Sequence, residues 1–399
     1  MKILQINSVC GIGSTGRIAT DLYEILKEQG NECKIAYGRD MAKNIPTEDL
    51  IKIGIDYDVN IHALMTRITD KTGFYSKKAT QKLIEQIIEY DPDIIHLHNI
   101  HGYYINIELL FNYLVKANKP LVWTLHDCWP FTGHCAHFDY IGCNKWKTVC
   151  CDCPQKKSYP QSLFLDNSQR NFKKKKELFT SIKKMTIVTP SQWLGDLVNE
   201  SFLSKYEVEV IPNGIDLSVF KPSDSAFRIK NKLENMKIIL GVASVWGTRK
   251  GLNDFIKLSK MLDDNYKIIL VGLKENQFKT LPKEILGIYR TNNVTELAEI
   301  YTMADVFVNP TYEDNFPTTN LEALACGTPV ITYKTGGSPE SLDETCGLAV
   351  EKGNIDMLYE SIFKICEKKP FSSEACIARS KMFDKNRRFN EYIDIYGVK

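Results

Sequence analysis

The run Ala304-Asp305-Val306-Phe307-Val308, a turn, a helix and then Pro329-Val330-Ile331 limit the fold more than any other stretch of the chain. Neither apolar run alternates with polar residues, so both faces of each must be covered, the pattern of a parallel strand buried between helix layers. A parallel pair needs a crossover, which the helix at about 318–325, stopped by Gly327, supplies. In an open parallel sheet, ligands sit at the carboxyl ends of strands. That places the loop from Pro310 to Pro317, carrying Glu313, Asp314 and Asn315, where a ligand belongs, with Glu322 on the helix behind it. Helix amides there suit an anion, and a carboxylate suits paired hydroxyls of a ribose or sugar.

The same alternation runs through both halves. Lys2 to Val9 reads as a strand, followed by Gly11-Ile12-Gly13-Ser14-Thr15-Gly16, a helix ending at Gly30, and a strand from Cys33 to Tyr37 before Arg39 and Asp40. A G-x-G-x-x-G in this setting admits a second reading, an NAD(P)-dependent oxidoreductase with Asp40 or Arg39 at the ribose. Residues from about 41 to 75 carry no pattern that places them. A helix at about 77–90, a strand Ile94 to His98, a helix at about 107–117 and a strand Leu121 to Leu125 follow. The last delivers His126 and Asp127 to a strand's carboxyl end, where such a pair can face substrate. His96, His98 and His101 are close enough in sequence for a metal, but no acid completes the set locally.

At 399 residues the chain is long for one core. A polar stretch from about 213 to 235 reads as the linker between two domains, and the pattern restarts at Lys237 to Val242. Beyond it, Arg249 and Lys250 stand in a Gly-flanked loop suited to clamping a diphosphate. A net charge of +2 argues against a nucleic-acid partner. No apolar run reaches the roughly 18–20 residues that span a bilayer, and MKILQINSV is too interrupted for a signal sequence, so a cytoplasmic location is expected. The helix pattern through FKKKKELFTSIKKM sets apolar residues against lysines and suggests docking on an anionic membrane surface.

Six of the twelve cysteines fall between Cys128 and Cys153. A signal-less chain of this size is not expected to use them as disulfides. Cys135, Cys143, Cys150 and Cys153 can instead supply four thiolates to one structural zinc, the last two as C-x2-C, with His134 and His137 as alternative ligands.

In order, the chain shows a Gly-rich first loop, VTPSQWL, VIPNGID, RKGL, ELAEIYTMADVFVNPTYEDNFPTTNLEALACGTPVI and TGGSPE. This resembles the family-4 retaining glycosyltransferases of the GT-B fold, particularly those that build bacterial exopolysaccharide, capsule or lipopolysaccharide. HLHNIHGYY and TLHDCWPFTGHC resemble that subgroup too. The resemblance implies an α/β fold of two Rossmann-like domains with a cleft between them. The first, 1–212, would carry the Cys-rich insert at about 126–160 and serve the acceptor. The second, 236–375, would hold the donor, and a helix in 376–399 would cross back to the first.

The resemblance also implies transfer of a hexose or N-acetylhexosamine from a nucleotide sugar, UDP-linked in preference to GDP-linked, to a glycan or lipid-linked glycan, with no catalytic metal. Lys250 and Arg249 would neutralise the leaving diphosphate. Glu322 would hold the ribose, Val294 would lie beside the base, and Asp314, Asn315 and Phe316 would approach the sugar and phosphate. Gly13 and Gly16 would face the donor across the cleft, and His126 would lie near the transferred sugar. Two positions depart from the family pattern: Asp314, beside Glu313, stands where a glutamate is usual, and Ala243-Ser244-Val245 replaces an expected arginine. A zinc-stapled, non-catalytic scaffold of a polysaccharide assembly complex is the reading that would apply if the site were degenerate.

Overall fold

The computed structural model describes Met1 to Gly397 and divides the chain into two compact units. The first contains Met1–Pro212 and the residues from Arg388 on; the second contains Asn213–Arg387.

The first unit is built on seven strands: β1 (Lys2–Asn7), β2 (Glu32–Tyr37), β3 (Leu50–Lys52), β4 (Ile94–Leu97), β5 (Leu121–Thr124), β6 (Met185–Thr189) and β7 (Glu207–Val210). All pair in parallel, in the order β3-β2-β1-β4-β5-β6-β7. Crossovers use α1 (Gly13–Glu28), α2 (Asp56–Thr69), α3 (Lys77–Tyr90), α4 (Ile107–Ala117), α5 (Ser168–Phe179) and α6 (Gln192–Asn199). One core lies on each side of the sheet, one around Ile6, Leu97, Phe111 and Trp123, the other around Ile3, Leu22, Ile35 and Val188.

The second unit has six parallel strands: β8 (Lys237–Val242), β9 (Tyr266–Val271), β10 (Ile285–Ile288), β11 (Val306–Asn309), β12 (Val330–Tyr333) and β13 (Gly347–Val350), ordered β10-β9-β8-β11-β12-β13. Its helices are α7 (Phe227–Lys230), α8 (Leu252–Leu258), α9 (Glu275–Phe278), α10 (Val294–Met303), α11 (Thr318–Ala325), α12 (Ile355–Lys368), α13 (Ser373–Ser380) and the start of α14 (Lys385–Tyr396). Each sheet reverses its winding once, between β1 and β4 and between β8 and β11. Such switch points open a crevice at the strands' carboxyl ends.

Several expectations change. Residues 41–75, which had no readable pattern, contain β3 and α2. The stretch 213–235 is not a free linker, because Ile215, Phe220 and Leu233 are buried in the second unit's core. The helical pattern near the C-terminus breaks between α13 and α14, where the Ile215 N–H donates to the Phe383 carbonyl (2.8 Å) and the Lys385 N–H to the Ile215 carbonyl (3.0 Å). α1 starts at Gly13, so Gly13 and Gly16 lie in its first turn and only Gly11 precedes it. Gly11 has φ +69°, and a Cβ there would meet the Lys43 carbonyl oxygen at 2.5 Å. The apolar side of the lysine-rich helix is not free for lipid, since Phe172, Leu178 and Phe179 are buried in the protein.

Candidate active site

The second unit's switch point brings the loop after β8 against the loop after β11. The Tyr312 N–H donates to the Arg249 carbonyl (2.8 Å), and the Arg249 Nη1 donates to the Glu313 carbonyl (2.8 Å). The two backbones approach so closely at Gly251, where φ is +73°, that a Cβ would lie 2.3 Å from the Pro310 oxygen. Across this junction Lys250 Nζ and the Asp314 carboxylate form a partly buried ion pair. Asp314 also accepts from the Asn315 N–H (3.0 Å), and Glu313, Asn315 and Phe316 beside it are buried.

α11 begins directly after this loop, with no side chain capping its first amides. In its second turn Glu322 is buried and accepts from the Tyr301 hydroxyl at 2.9 Å. Tyr301 belongs to α10, whose first residue, Val294, is exposed beside Asn293; the Asn293 side chain caps the helix by accepting from the Glu296 N–H (2.8 Å). Lys250, Arg249, Asp314 and the α11 N-terminus thus meet at one crevice, with Glu322 buried one turn into the helix.

In the first unit the polar groups follow from the ends of β1, β4 and β5. Gln5, buried in β1, donates from Nε2 to the Ala19 carbonyl (3.0 Å), so its Oε1 is the acceptor facing His98 Nε2 (3.0 Å). His98 therefore carries its proton on Nε2, and its Nδ1 accepts from His126 Nε2 at 3.2 Å. A neutral His126 then presents Nδ1 as an acceptor. Burial lowers the pKa of His126 to about 4, opposed in part by Asp127, so the ring is neutral at pH 7. Asp127 turns instead to His101, whose Nε2 lies 2.8 Å from its carboxylate.

Asn7 supports the Gly-rich turn. Its Nδ2 donates to the carbonyls of Val9 (3.0 Å) and Thr15 (3.1 Å), and its Oδ1 accepts from the N–H groups of Ser8 (2.8 Å) and Asn99 (3.3 Å). Neither Gln5 nor Asn7 was singled out from the sequence, although two amides inside the otherwise apolar run ILQIN are a signal that could have found them; both are fully buried. The three nearby histidines form no metal set, for each ring is engaged with protein groups: His96 with Thr124 and Tyr396, His98 with Gln5 and His126, and His101 with Asp127 and Tyr159.

Residues 223–386 match the description Glycosyl transferases group 1, and residues 15–219, over half the chain, match Glycosyltransferase Family 4. The chain belongs to glycosyltransferase family 4. The nicotinamide reading of residues 11–16 lapses with that membership. This glycosyltransferase is 25% identical over 372 residues, 90% of each chain, to the Escherichia coli WcaC glycosyl transferase named for colanic acid biosynthesis. It is 24% identical over 197 residues to the Campylobacter jejuni N,N'-diacetylbacillosaminyl-diphospho-undecaprenol alpha-1,3-N-acetylgalactosaminyltransferase, covering 46% of this chain and 52% of that one. Its fold is shared with Anabaena HepE in complex with UDP (TM-score 0.70, 16% identity, 100% of both chains). Sucrose-phosphate synthase of Thermosynechococcus elongatus shares it as well (TM-score 0.71, 17% identity, 100% of this chain and 98% of that one). Two parallel-sheet Rossmann-like units make this a GT-B glycosyltransferase.

Proposed function

We propose that the protein moves a hexose or N-acetylhexosamine, with retention, from a nucleoside-diphosphate sugar to a glycan or lipid-linked glycan in bacterial surface polysaccharide assembly. A UDP-linked donor is favoured. The observation that carries the reading is the junction of Lys250, Arg249, Asp314 and the α11 N-terminus at one switch point. In the transfer the anomeric carbon–oxygen bond to phosphate breaks, a bond to the acceptor oxygen forms, and the acceptor's proton passes to the departing diphosphate. Negative charge grows on that diphosphate, where a lysine, an arginine and helix amides stabilise it most. The diphosphate, a stronger anion than a carboxylate, displaces Asp314 from Lys250, which frees Asp314 for the sugar hydroxyls. Glu322, held by Tyr301, takes the ribose; Val294 lies by the base; and His126 offers Nδ1 to a hydroxyl of the transferred sugar or acceptor. Gly13 and Gly16, in the first turn of α1, let the backbone come close to the donor.

The names of relatives support the glycan acceptor: WcaC is named for colanic acid biosynthesis, and the Campylobacter enzyme's acceptor is a diphospho-undecaprenol glycan. HepE was solved with UDP and with UDP-glucose, which supports the donor class. The test is a screen of UDP-, GDP- and ADP-sugars read by released nucleotide, with the product's anomeric configuration read by NMR. Glu322→Gln is expected to weaken binding of the active donor about 10-fold, the worth of roughly one charge-assisted hydrogen bond. Wild-type affinity in that variant would remove Glu322 from the site, and no turnover with any donor would favour the non-catalytic scaffold.

The acceptor class implies work at a lipid surface, and the first unit carries a face suited to it. Tyr57, Ile61, Leu64 and Ile68 recur along one side of α2 and are exposed, Tyr57 to 67%. Leu163, Phe164 (69% exposed) and Leu165 join them, their loop fixed to α2 by the Leu163 N–H donating to the Arg67 carbonyl (2.7 Å). A neighbouring groove is lined by Lys71, Lys77, Arg170, Lys173 and Lys174, with Glu108 and Glu177 there paired to Lys174, which leaves the lining net basic. Apolar side chains with a basic border fit an anionic bilayer surface better than a protein partner. Among the described residues no helix is long and apolar enough to cross a membrane. Flotation is expected with vesicles containing phosphatidylglycerol and not with phosphatidylcholine alone. Leu64→Ser with Phe164→Ser should lower the bound fraction at least about tenfold, since each side chain is worth ~1.5–3 kcal/mol when fully buried. Equal flotation of the variant, or self-association through this face, would refute the assignment.

A further inference from the structure

None of this chemistry uses the cysteine-rich segment between β5 and α5. It has little regular structure beyond two short 3-10 turns, Trp129–Phe131 and Lys145–Lys147, yet Trp129, Phe131, Cys135 and Trp146 within it are buried. All of its cysteines are free thiols. Cys135, Cys143, Cys150, Cys151 and Cys153 line one void of about 10 Å³, with Lys145 at its edge; it is too small for an organic ligand and the size of a single ion or water.

Two further groups point to a cation there. His134 lines the same void and is 2% exposed. Its Nδ1 is bonded to the fully buried Asp70 carboxylate, while its Nε2 is buried with no hydrogen-bond partner. A carboxylate on one ring nitrogen and an open lone pair on the other is how a histidine is prepared as a metal ligand. The second group is Lys175, 1% exposed, whose ammonium donates to the carbonyls of Trp129 (2.7 Å) and Thr132 (3.1 Å) and lies 3.3 Å from the Trp129 ring centroid. Burial lowers its pKa to about 7 and no carboxylate is hydrogen-bonded to it; an anionic metal–thiolate cluster nearby would favour its charged form.

We propose that this segment binds one structural zinc ion through Cys135, Cys150, Cys153 and either Cys143 or His134 Nε2. Thiolate softness and the C-x2-C pair favour zinc over harder cations. Among the described residues no three His, Cys, Asp or Glu side chains already stand around a common point, so the thiols turn about χ1 toward the void as they bind. Each ligating thiol exchanges its proton for a sulfur–zinc bond and releases that proton to solvent, three or four per ion. The ion would order a segment that regular hydrogen bonding does not.

Full-length protein prepared without chelators is expected to contain about one zinc per chain, and cobalt exchanged into it should give tetrahedral d–d bands with an ultraviolet thiolate charge-transfer band. Band intensity separates four thiolates from three thiolates and an imidazole, both of which the proposal accommodates. Cys153→Ser should lower zinc content at least about tenfold, whereas Cys346→Ser, in the other unit, should leave it unchanged. Zinc release from the wild-type chain on thiol mercuration provides a reading that does not depend on the variant's folding. Wild-type protein that contains no zinc and takes up neither zinc nor cobalt overturns the site, as does undiminished binding in a folded Cys153→Ser variant.

Discussion

Lys250→Ala is expected to slow sugar transfer about 10²–10³-fold, roughly 2.7–4 kcal/mol of transition-state stabilisation, the usual loss when a group aimed at developing charge is removed. Lys250 is partly exposed and its bonded partner is Asp314 alone, so the fold should tolerate the change, with a stability loss of at most about 1 kcal/mol. The ion pair poses a rival account in which Lys250 serves only to hold Asp314 in place. Asp314→Asn separates the two: a purely structural lysine requires that variant to be as damaged as Lys250→Ala and the double variant no worse. If Lys250 meets the diphosphate, Asp314→Asn loses less, and Lys250→Arg recovers part of the activity. Unchanged kcat in Lys250→Ala would place the leaving-group site elsewhere.

The second large effect is acid instability confined to one unit. All seven histidines lie between His62 and His137, within the first unit, and the second has none. His62 accepts a hydrogen bond at Nε2 from the Gly73 N–H (3.1 Å), with Nδ1 2.8 Å from the Ser76 hydroxyl, and the rings of Tyr75 and Tyr103 stand beside it. His96 lies among His98, Thr124, Tyr392 and Tyr396. No carboxylate touches either ring. Burial lowers both pKa values to about 3, with His126 adding to the effect at His96.

With folded values below the unfolded value near 6.5, the unfolded chain binds more protons between the two. The stabilisation is therefore complete above pH 6.5 and is lost as pH falls toward 3. At pH 5 each histidine costs about 2 kcal/mol, against a typical domain stability of ~5–15 kcal/mol. Calorimetry between pH 7 and 5 should show one transition falling by at least about 10 °C while the other stays nearly constant. Burial holds His98 and His126 low as well, so His62→Gln, which keeps a donor and an acceptor without titrating, should remove about a quarter of the shift. Two transitions moving together would show that these rings do not carry the effect.

What could be read from the sequence divides along physical lines. The strands were legible because a run buried on both faces is mostly apolar, with Gln5 and Asn7 of β1 as exceptions, and the places of Lys250 and Asp314 because their loops follow such strands. α2 was not legible, because its pattern is inverted. It buries His62 and Thr66 and turns Tyr57, Ile61, Leu64 and Ile68 outward, so periodicity gave no guide to its core face. Lys175 misled in the same way, a lysine in a run of lysines that is the one fully buried. The contacts that organise the sites join distant residues: Lys250 and Asp314 are 64 positions apart, Asp70 and His134 64, and Gln5 and His98 93. Sheet order, with β8 beside β11 and β1 beside β4, makes the first and last of those pairs, and no local pattern encodes it.

The hydroxyls of Tyr392 and Tyr396, which reach Thr124 and His96, carry a consequence for biosynthesis. Their partners precede them by 268 and 300 residues, with the whole contiguous second unit in between. At about 5–20 residues per second, a ribosome leaves the polar side of β4 and β5 without these hydroxyls for ~15–60 s. The second unit can complete itself during that interval, while the first, although begun earlier, is finished last.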